Sequence, residues 1–189
     1  MTHTHKIAVI VGSLRKESFN LKTAKAIMKL APKSLALELL PIGNLPMYNQ
    51  DFDAASPEEY ITFRERVHSF DGFLFVTPEY NRSMPAVLKN AIDVASRPYG
   101  ENCWDGKPGA VMSVSISALG RFGANHHLRQ SLVFVNVLTM AQPEAYIGNA
   151  QDLFDDNGEL TNESTRAFLE NFIQAFEQWV HVHADKTKS

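Results

Sequence analysis

The apolar positions of this chain fall into short unbroken runs separated by longer periodic stretches. Residues 6–11 (KIAVIV) and 72–77 (GFLFVT) are almost continuously apolar. Residues 109–114 form a third such run, and residues 34–40 and 144–148 read as weaker ones. A strand without in-out alternation is covered on both faces, as in a parallel sheet. Between the runs the period changes to that of a helix. Residues 19–31 place Leu21, Ala24, Ile27, Met28 and Ala31 on one stripe, and Pro32 follows. Residues 58–70 and 124–135 read as helices. In residues 85–96 the stripe is Val87, Leu88, Ala91, Ile92 and Ala95, with Pro85 at the first position, where its missing N–H does no harm. The last helix spans residues 163–183, where Phe168, Phe172, Phe176 and Trp179 recur at core spacing. Residues 41–57 form a loop rich in Pro, Asn and Asp.

Five strands alternating with helices describe a doubly wound α/β domain. Ligands of such domains sit beyond the carboxyl ends of the strands. The informative residues therefore follow strands one, three and four. The first loop reads Gly12-Ser13-Leu14-Arg15-Lys16-Glu17-Ser18-Phe19-Asn20. It opens a helix, so it offers unpaired N–H groups and the positive end of a helix dipole. Two hydroxyls, an amide and the Arg15 guanidinium suit a phosphate. The spacing is not that of a Walker loop or of a Gly-rich dinucleotide fingerprint. The same residues would also make an ordinary turn with Ser18 as N-cap.

The second loop reads Thr77-Pro78-Glu79-Tyr80-Asn81-Arg82-Ser83-Met84-Pro85. Its two prolines fix φ and stiffen it, which suits an edge-on heterocycle needing hydrogen bonds and stacking. A turn whose tyrosine merely packs fits the same residues. The third loop, residues 115–123, carries Ser115, Ser117, Gly120 and Gly123. Its glycines permit close backbone approach to a ligand, though a plain loop would look alike.

Charge and composition narrow the partners. The chain has 189 residues, 18 basic against 21 acidic, for a net charge of −3. No global positive field exists, so nucleic acid is not an expected partner. Any anion must be held by a local site. The length suits a single domain over residues 1–189. One cysteine, Cys103, cannot form an internal disulfide, and no run reaches the roughly 20 apolar residues of a membrane span. A cytoplasmic location away from any membrane is expected. His126-His127 and His181-Val182-His183 point to different helix faces, so no metal site is expected there. The acidic stretch 152–159 lacks calcium-loop spacing, and Cys103-Trp104 reads as structural.

Taken together, the motifs resemble the NADPH-dependent FMN reductase family. These are flavodoxin-like enzymes that include bacterial chromate and quinone reductases. The resemblance runs from Lys6 to about Gly148. It rests on Gly12-Ser13-Leu14-Arg15 with Ser18 and Asn20, and on Thr77-Pro78-Glu79-Tyr80-Asn81. Leu88-Lys89-Asn90-Ala91-Ile92-Asp93 and Leu128-Arg129-Gln130 add to it. The resemblance implies a flavodoxin-like five-stranded parallel sheet of order 2-1-3-4-5, with helices on both faces. It implies an FMN phosphate held by Ser13, Arg15, Ser18, Phe19 and Asn20. Pro78, Glu79, Tyr80 and Asn81 would line the isoalloxazine ring, largely through backbone groups, with Ser115 and Ser117 completing the pocket. Two departures touch the substrate-facing wall. Arg121-Phe122 interrupts a glycine pair, and Val94 stands where tryptophan is frequent.

The implied chemistry is hydride transfer from a nicotinamide donor, NADPH or NADH, to a small-molecule electron acceptor. Donor and acceptor use one site in turn, in ping-pong fashion. Quinones are the expected acceptors, with chromate, azo dyes and ferric complexes as further ones. No side chain is needed as nucleophile or general base, so no catalytic residue is nominated. Arg97 and Arg121 are candidates to hold an anionic acceptor or a cofactor phosphate. For Arg97, a helix-end cation favoured by the dipole is the competing reading. The resemblance also implies a homodimer or homotetramer. The alternative function is a flavodoxin-type electron carrier without direct NAD(P)H turnover. Such carriers are usually strongly acidic, and a charge of −3 with Arg15 in the phosphate loop stands against that. A third possibility is a flavin-free regulatory α/β domain.

Overall fold

The computed structural model describes residues 4–184. At its centre is β3 (Gly72–Thr77), all six residues of which are buried. It pairs in parallel with β1 (His5–Val11) on one side and β4 (Pro108–Val114) on the other. β2 (Leu35–Leu39) extends the sheet beyond β1. The order is β2-β1-β3-β4-β5, as the resemblance implies.

The strands bury both faces, and successive residues point to opposite sides. Ile7, Val9, Leu74, Val76 and Met112 face one helical layer. That layer is α1 (Phe19–Leu30) and α5 (Glu163–His183), which contributes Leu169, Phe172, Ile173, Phe176 and Val180. Ala8, Ile10, Phe73, Phe75 and Val111 face the other layer. There α2 (Glu58–His68), α3 (Ala86–Ala95) and α4 (Phe122–Phe134) supply Tyr60, Phe63, Leu88, Ile92 and Leu128. Trp104 fills the same layer, packed edge-to-face on Phe73 with ring centroids 4.7 Å apart and its Nε1–H donating to the Ile92 carbonyl at 3.1 Å. This settles Cys103-Trp104 as a buried structural pair.

Three features differ from the sequence pattern. The short last strand expected at residues 144–148 is present, but a further two-residue strand precedes it. β5 (Leu138–Thr139) pairs with the start of β4, and β6 (Ala145–Ile147) pairs with its end. Pro143 lies between them and cannot donate to a sheet ladder, so pairing is interrupted there. Pro85 is the N-cap residue of α3, and its carbonyl accepts from Leu88 and Lys89. α4 begins at Phe122, two residues earlier than its periodicity suggests, for a reason that lies in the site.

Candidate active site

The three loops line up along the carboxyl edge of the sheet. Gly12 hydrogen-bonds through its N–H to the Val76 carbonyl at 2.9 Å, which brings the first loop against the second. A Cβ at Gly12 would lie 3.2 Å from Leu88 and 3.3 Å from Pro78. The close approach of these two loops therefore favours glycine, since a side chain would push Leu88 or Pro78 aside by a few tenths of an ångström.

In the first loop, Ser18 is the N-cap of α1, and its hydroxyl accepts from the Leu21 N–H at 3.2 Å. The N–H groups of Phe19 and Asn20, in the first turn, point out of the helix end. Asn20 is buried, and its Oδ1 has no hydrogen-bond partner. A buried, unpaired amide oxygen costs about 1–3 kcal/mol unless something completes it. Arg15 is exposed, and none of the ion pairs among the described residues uses it. An unpaired amide, a free guanidinium and open helix N–H groups fit a phosphomonoester with its attached polyol. These observations, rather than the presence of hydroxyls alone, make the loop suited to FMN.

The second loop is more constrained than its prolines suggest. Tyr80 and Ser83 exchange both backbone hydrogen bonds, at 2.9 and 3.0 Å. Between them Asn81 and Arg82 both have positive φ, 50° and 67°. This is a tight mirror-image turn of the kind glycine usually occupies. A left-handed arginine costs roughly 1–2 kcal/mol, and such strain gathers where a surface must present a fixed array. Tyr80 is exposed, so it does not pack into the core.

Glu79 is expected at the ring through its backbone, but its side chain has a separate place. Only 3% of it is exposed. Its Oε2 accepts from the Ala124 N–H at 3.0 Å. Arg121, the N-cap residue of α4, has φ 64° and no capping side-chain bond of its own. The Glu79 carboxylate supplies the cap instead, which lets α4 begin at Phe122. Its Oε1 lies 3.4 Å from Arg82 and 3.8 Å from Arg121. A Cβ on Gly123 would meet Glu79 Oε2 at 3.0 Å, so glycine leaves room for the carboxylate.

The third loop is held from beneath. Ser115 accepts the Ser117 N–H on its hydroxyl at 2.9 Å and takes its own N–H to the Ile147 carbonyl. Ser113 donates to the Gly120 carbonyl at 2.6 Å. Buried Asn125 donates to the Ala145 carbonyl and accepts from Arg129 Nε at 2.9 Å. Arg129 continues to the Met140 carbonyl at 2.8 Å, tying α4 to the segment between β5 and β6. Burial lowers the Arg129 pKa. Tyr146 hydrogen-bonds His126 at 2.7 Å, and burial, with Glu144 adding, pushes its phenol up to about 12. Asn90 has a similar supporting role, pinning residues 46–48 through Tyr48 N–H at 2.7 Å and the Pro46 carbonyl at 2.9 Å.

The structure separates the two nominated arginines. Arg121 stands at the Glu79 carboxylate. Arg97 lies over the Tyr48 ring, 5.9 Å from its centroid. It lines an 850 Å³ groove between α3 and α4 with Tyr99, His127 and Phe134. Arg82 and the Glu79 side chain are the site residues that sequence reasoning passed over. A strained Asn-Arg turn was the available signal for Arg82. For the helix-capping role of Glu79 no local signal existed, because the Ala124 N–H it accepts from is 45 residues away. Among the described residues no group of three or more His, Cys, Asp or Glu side chains could hold a metal ion. No helix among them is long and apolar enough to cross a membrane.

A parallel sheet of this order, with helices on both faces, defines a flavodoxin-like fold. The particular family follows from comparison. Residues 5–152 match the NADPH-dependent FMN reductase family, and the chain belongs to it. A quinone reductase of Pseudomonas putida is 56% identical over 184 residues, covering 97% of this chain and 98% of that protein. A 2-hydroxy-1,4-benzoquinone reductase of Burkholderia sp. is 46% identical, covering 93% and 96%. The solved structure of FerB, a flavoenzyme NAD(P)H:(acceptor) oxidoreductase from Paracoccus denitrificans, superposes with a TM-score of 0.90. It is 44% identical, covering 95% of this chain and 99% of that one.

Proposed function

We propose that the protein is an FMN-dependent NAD(P)H oxidoreductase whose acceptors are quinones. The observation that carries this reading is the unpaired, buried Asn20 amide beside the free Arg15 at the α1 N-terminus. Family membership and the identity to quinone reductases support it. In the net reaction NAD(P)H, a proton and a quinone become NAD(P)+ and a hydroquinone. When bound, FMN supplies the two-electron relay between donor and acceptor.

The protein's part is to bind, orient and exclude. Ser13, Arg15, Ser18, Phe19 and Asn20 hold the phosphate end, Ser18 mainly by fixing the helix terminus that faces it. Pro78, Glu79, Tyr80 and Asn81 present their backbone to the ring edge, and the strained turn keeps that array fixed. Ser115 and Ser117 close the far side. Arg97 holds anionic parts of donor or acceptor, while Arg121, paired with Glu79, offers them only a weakened positive charge. Chromate, azo dyes and ferric complexes are further acceptors of the same open site.

The chain acts as one flavin-binding domain and assembles as a homodimer or homotetramer in the cytoplasm. Tyr99 is 92% exposed and Phe134 91% exposed at the α3–α4 groove, which supports a second copy seated there. A single buried cysteine suits a reducing compartment. The direct test is to titrate the flavin-free protein with FMN and follow flavin fluorescence. Saturable, stoichiometric binding with a perturbed visible spectrum is expected. Absence of binding would overturn the assignment.

A further inference from the structure

We propose that the Glu79 side chain is a positioning and specificity-determining residue. It locks the ring-binding loop to α4 and keeps Arg82 and Arg121 paired, so that the rim discriminates against anionic acceptors. This rests on the reading of residues 78–81 as the ring-binding loop.

A carboxylate that is 3% exposed must be compensated, and here each oxygen has its own task. Oε2 takes the Ala124 N–H, closing the α4 helix end left uncapped by Arg121. Oε1 faces two guanidinium groups, Arg82 at 3.4 Å and Arg121 at 3.8 Å. The two arginines come from different loops, and both adopt left-handed backbone conformations. Neither conformation is intrinsic to arginine, so something must over-determine them. Glu79 is the group they share.

The consequence for specificity is electrostatic. Arg82 is 83% exposed and Arg121 33%, so both reach solvent at the rim. Bound to one carboxylate, the pair presents a reduced positive field. Without that charge, an incoming anion would meet two unneutralised cations.

The test uses Glu79→Gln and Glu79→Ala with three measurements. The first is hydrogen exchange at the Ala124 amide, which reads the lock with or without flavin. The second is FMN affinity of the flavin-free protein. The third is KM for a sulfonated quinone against an uncharged one. In Glu79→Gln the amide oxygen still accepts from Ala124, so exchange protection stays within about twofold of wild type, and FMN binding weakens less than in Glu79→Ala. KM for the sulfonated quinone falls at least about threefold relative to KM for the neutral quinone, and the difference shrinks at high salt. In Glu79→Ala the Ala124 protection is lost and FMN binds about tenfold more weakly. An Ala124 amide as protected in Glu79→Ala as in wild type would overturn the lock. Equal KM changes for both quinones in Glu79→Gln, or none, would overturn the specificity role. Failure of wild type to bind FMN would instead sink the flavin reading, while the exchange result still decides the lock.

Discussion

Asn20 is where stability and function pull apart. Its buried Oδ1 has no partner, so the folded chain carries a desolvation cost that a bound ligand removes. Replacing it with leucine keeps similar bulk and deletes the orphan. Asn20→Leu should leave the melting temperature of the flavin-free protein equal to or above wild type. Its FMN affinity should fall about twofold to tenfold, the range for one neutral hydrogen bond from a polyol hydroxyl to Oδ1. Thermal melts and calorimetric titration check both signs. A parallel loss of stability and affinity would mean Asn20 is simply part of the core. The sequence made Asn20 visible, because a helix-opening amide beside Arg15 is a local pattern. It could not distinguish a capped turn from a phosphate site, since Ser18 caps α1 in either case.

At the scale of elements, α4 and β6 meet through Tyr146 and His126. The Tyr146 phenol is raised to about 12 from its ordinary value of 10. A raised folded pKa means the neutral form is favoured on folding. The corresponding stability is present below pH 10 and is lost as pH rises through about 12. Tyr146→Phe has no group to titrate there, so its stability should decline less than wild type between pH 10 and pH 12. Urea unfolding at several alkaline pH values measures the difference, and identical slopes would exclude Tyr146 as the cause.

The elements themselves were legible where burial is two-sided. The runs at β1, β3 and β4 lack alternation because both faces are covered, and a run of that kind is hard to mistake. α5 appeared with its observed bounds because Asn162 caps it and its phenylalanines keep helical period. β5 was not legible, since two residues carry no period. The start of α4 was not either, because its cap comes from Glu79 across the sheet edge rather than from a neighbour in sequence.

For the whole molecule, the unexplained feature is surface. Tyr99 and Phe134 lie almost fully exposed on one groove that also holds Arg97. Single exposed apolar side chains are common, but two large rings flanking one groove favour a partner surface. Phe134→Glu should remain folded, since the side chain makes little contact within the chain. Light scattering should then report the 21.1 kDa monomer where wild type reports a dimer or tetramer. An unchanged assembly would place the interface elsewhere.

Exchange of electrons between nicotinamide and quinone through a flavin at one shared site is tested by initial rates of NADPH oxidation at several fixed quinone concentrations with FMN-loaded protein. Rapid turnover and parallel double-reciprocal lines are expected. Negligible turnover, as expected of an electron carrier, or lines that intersect because donor and acceptor bind together, would contradict it.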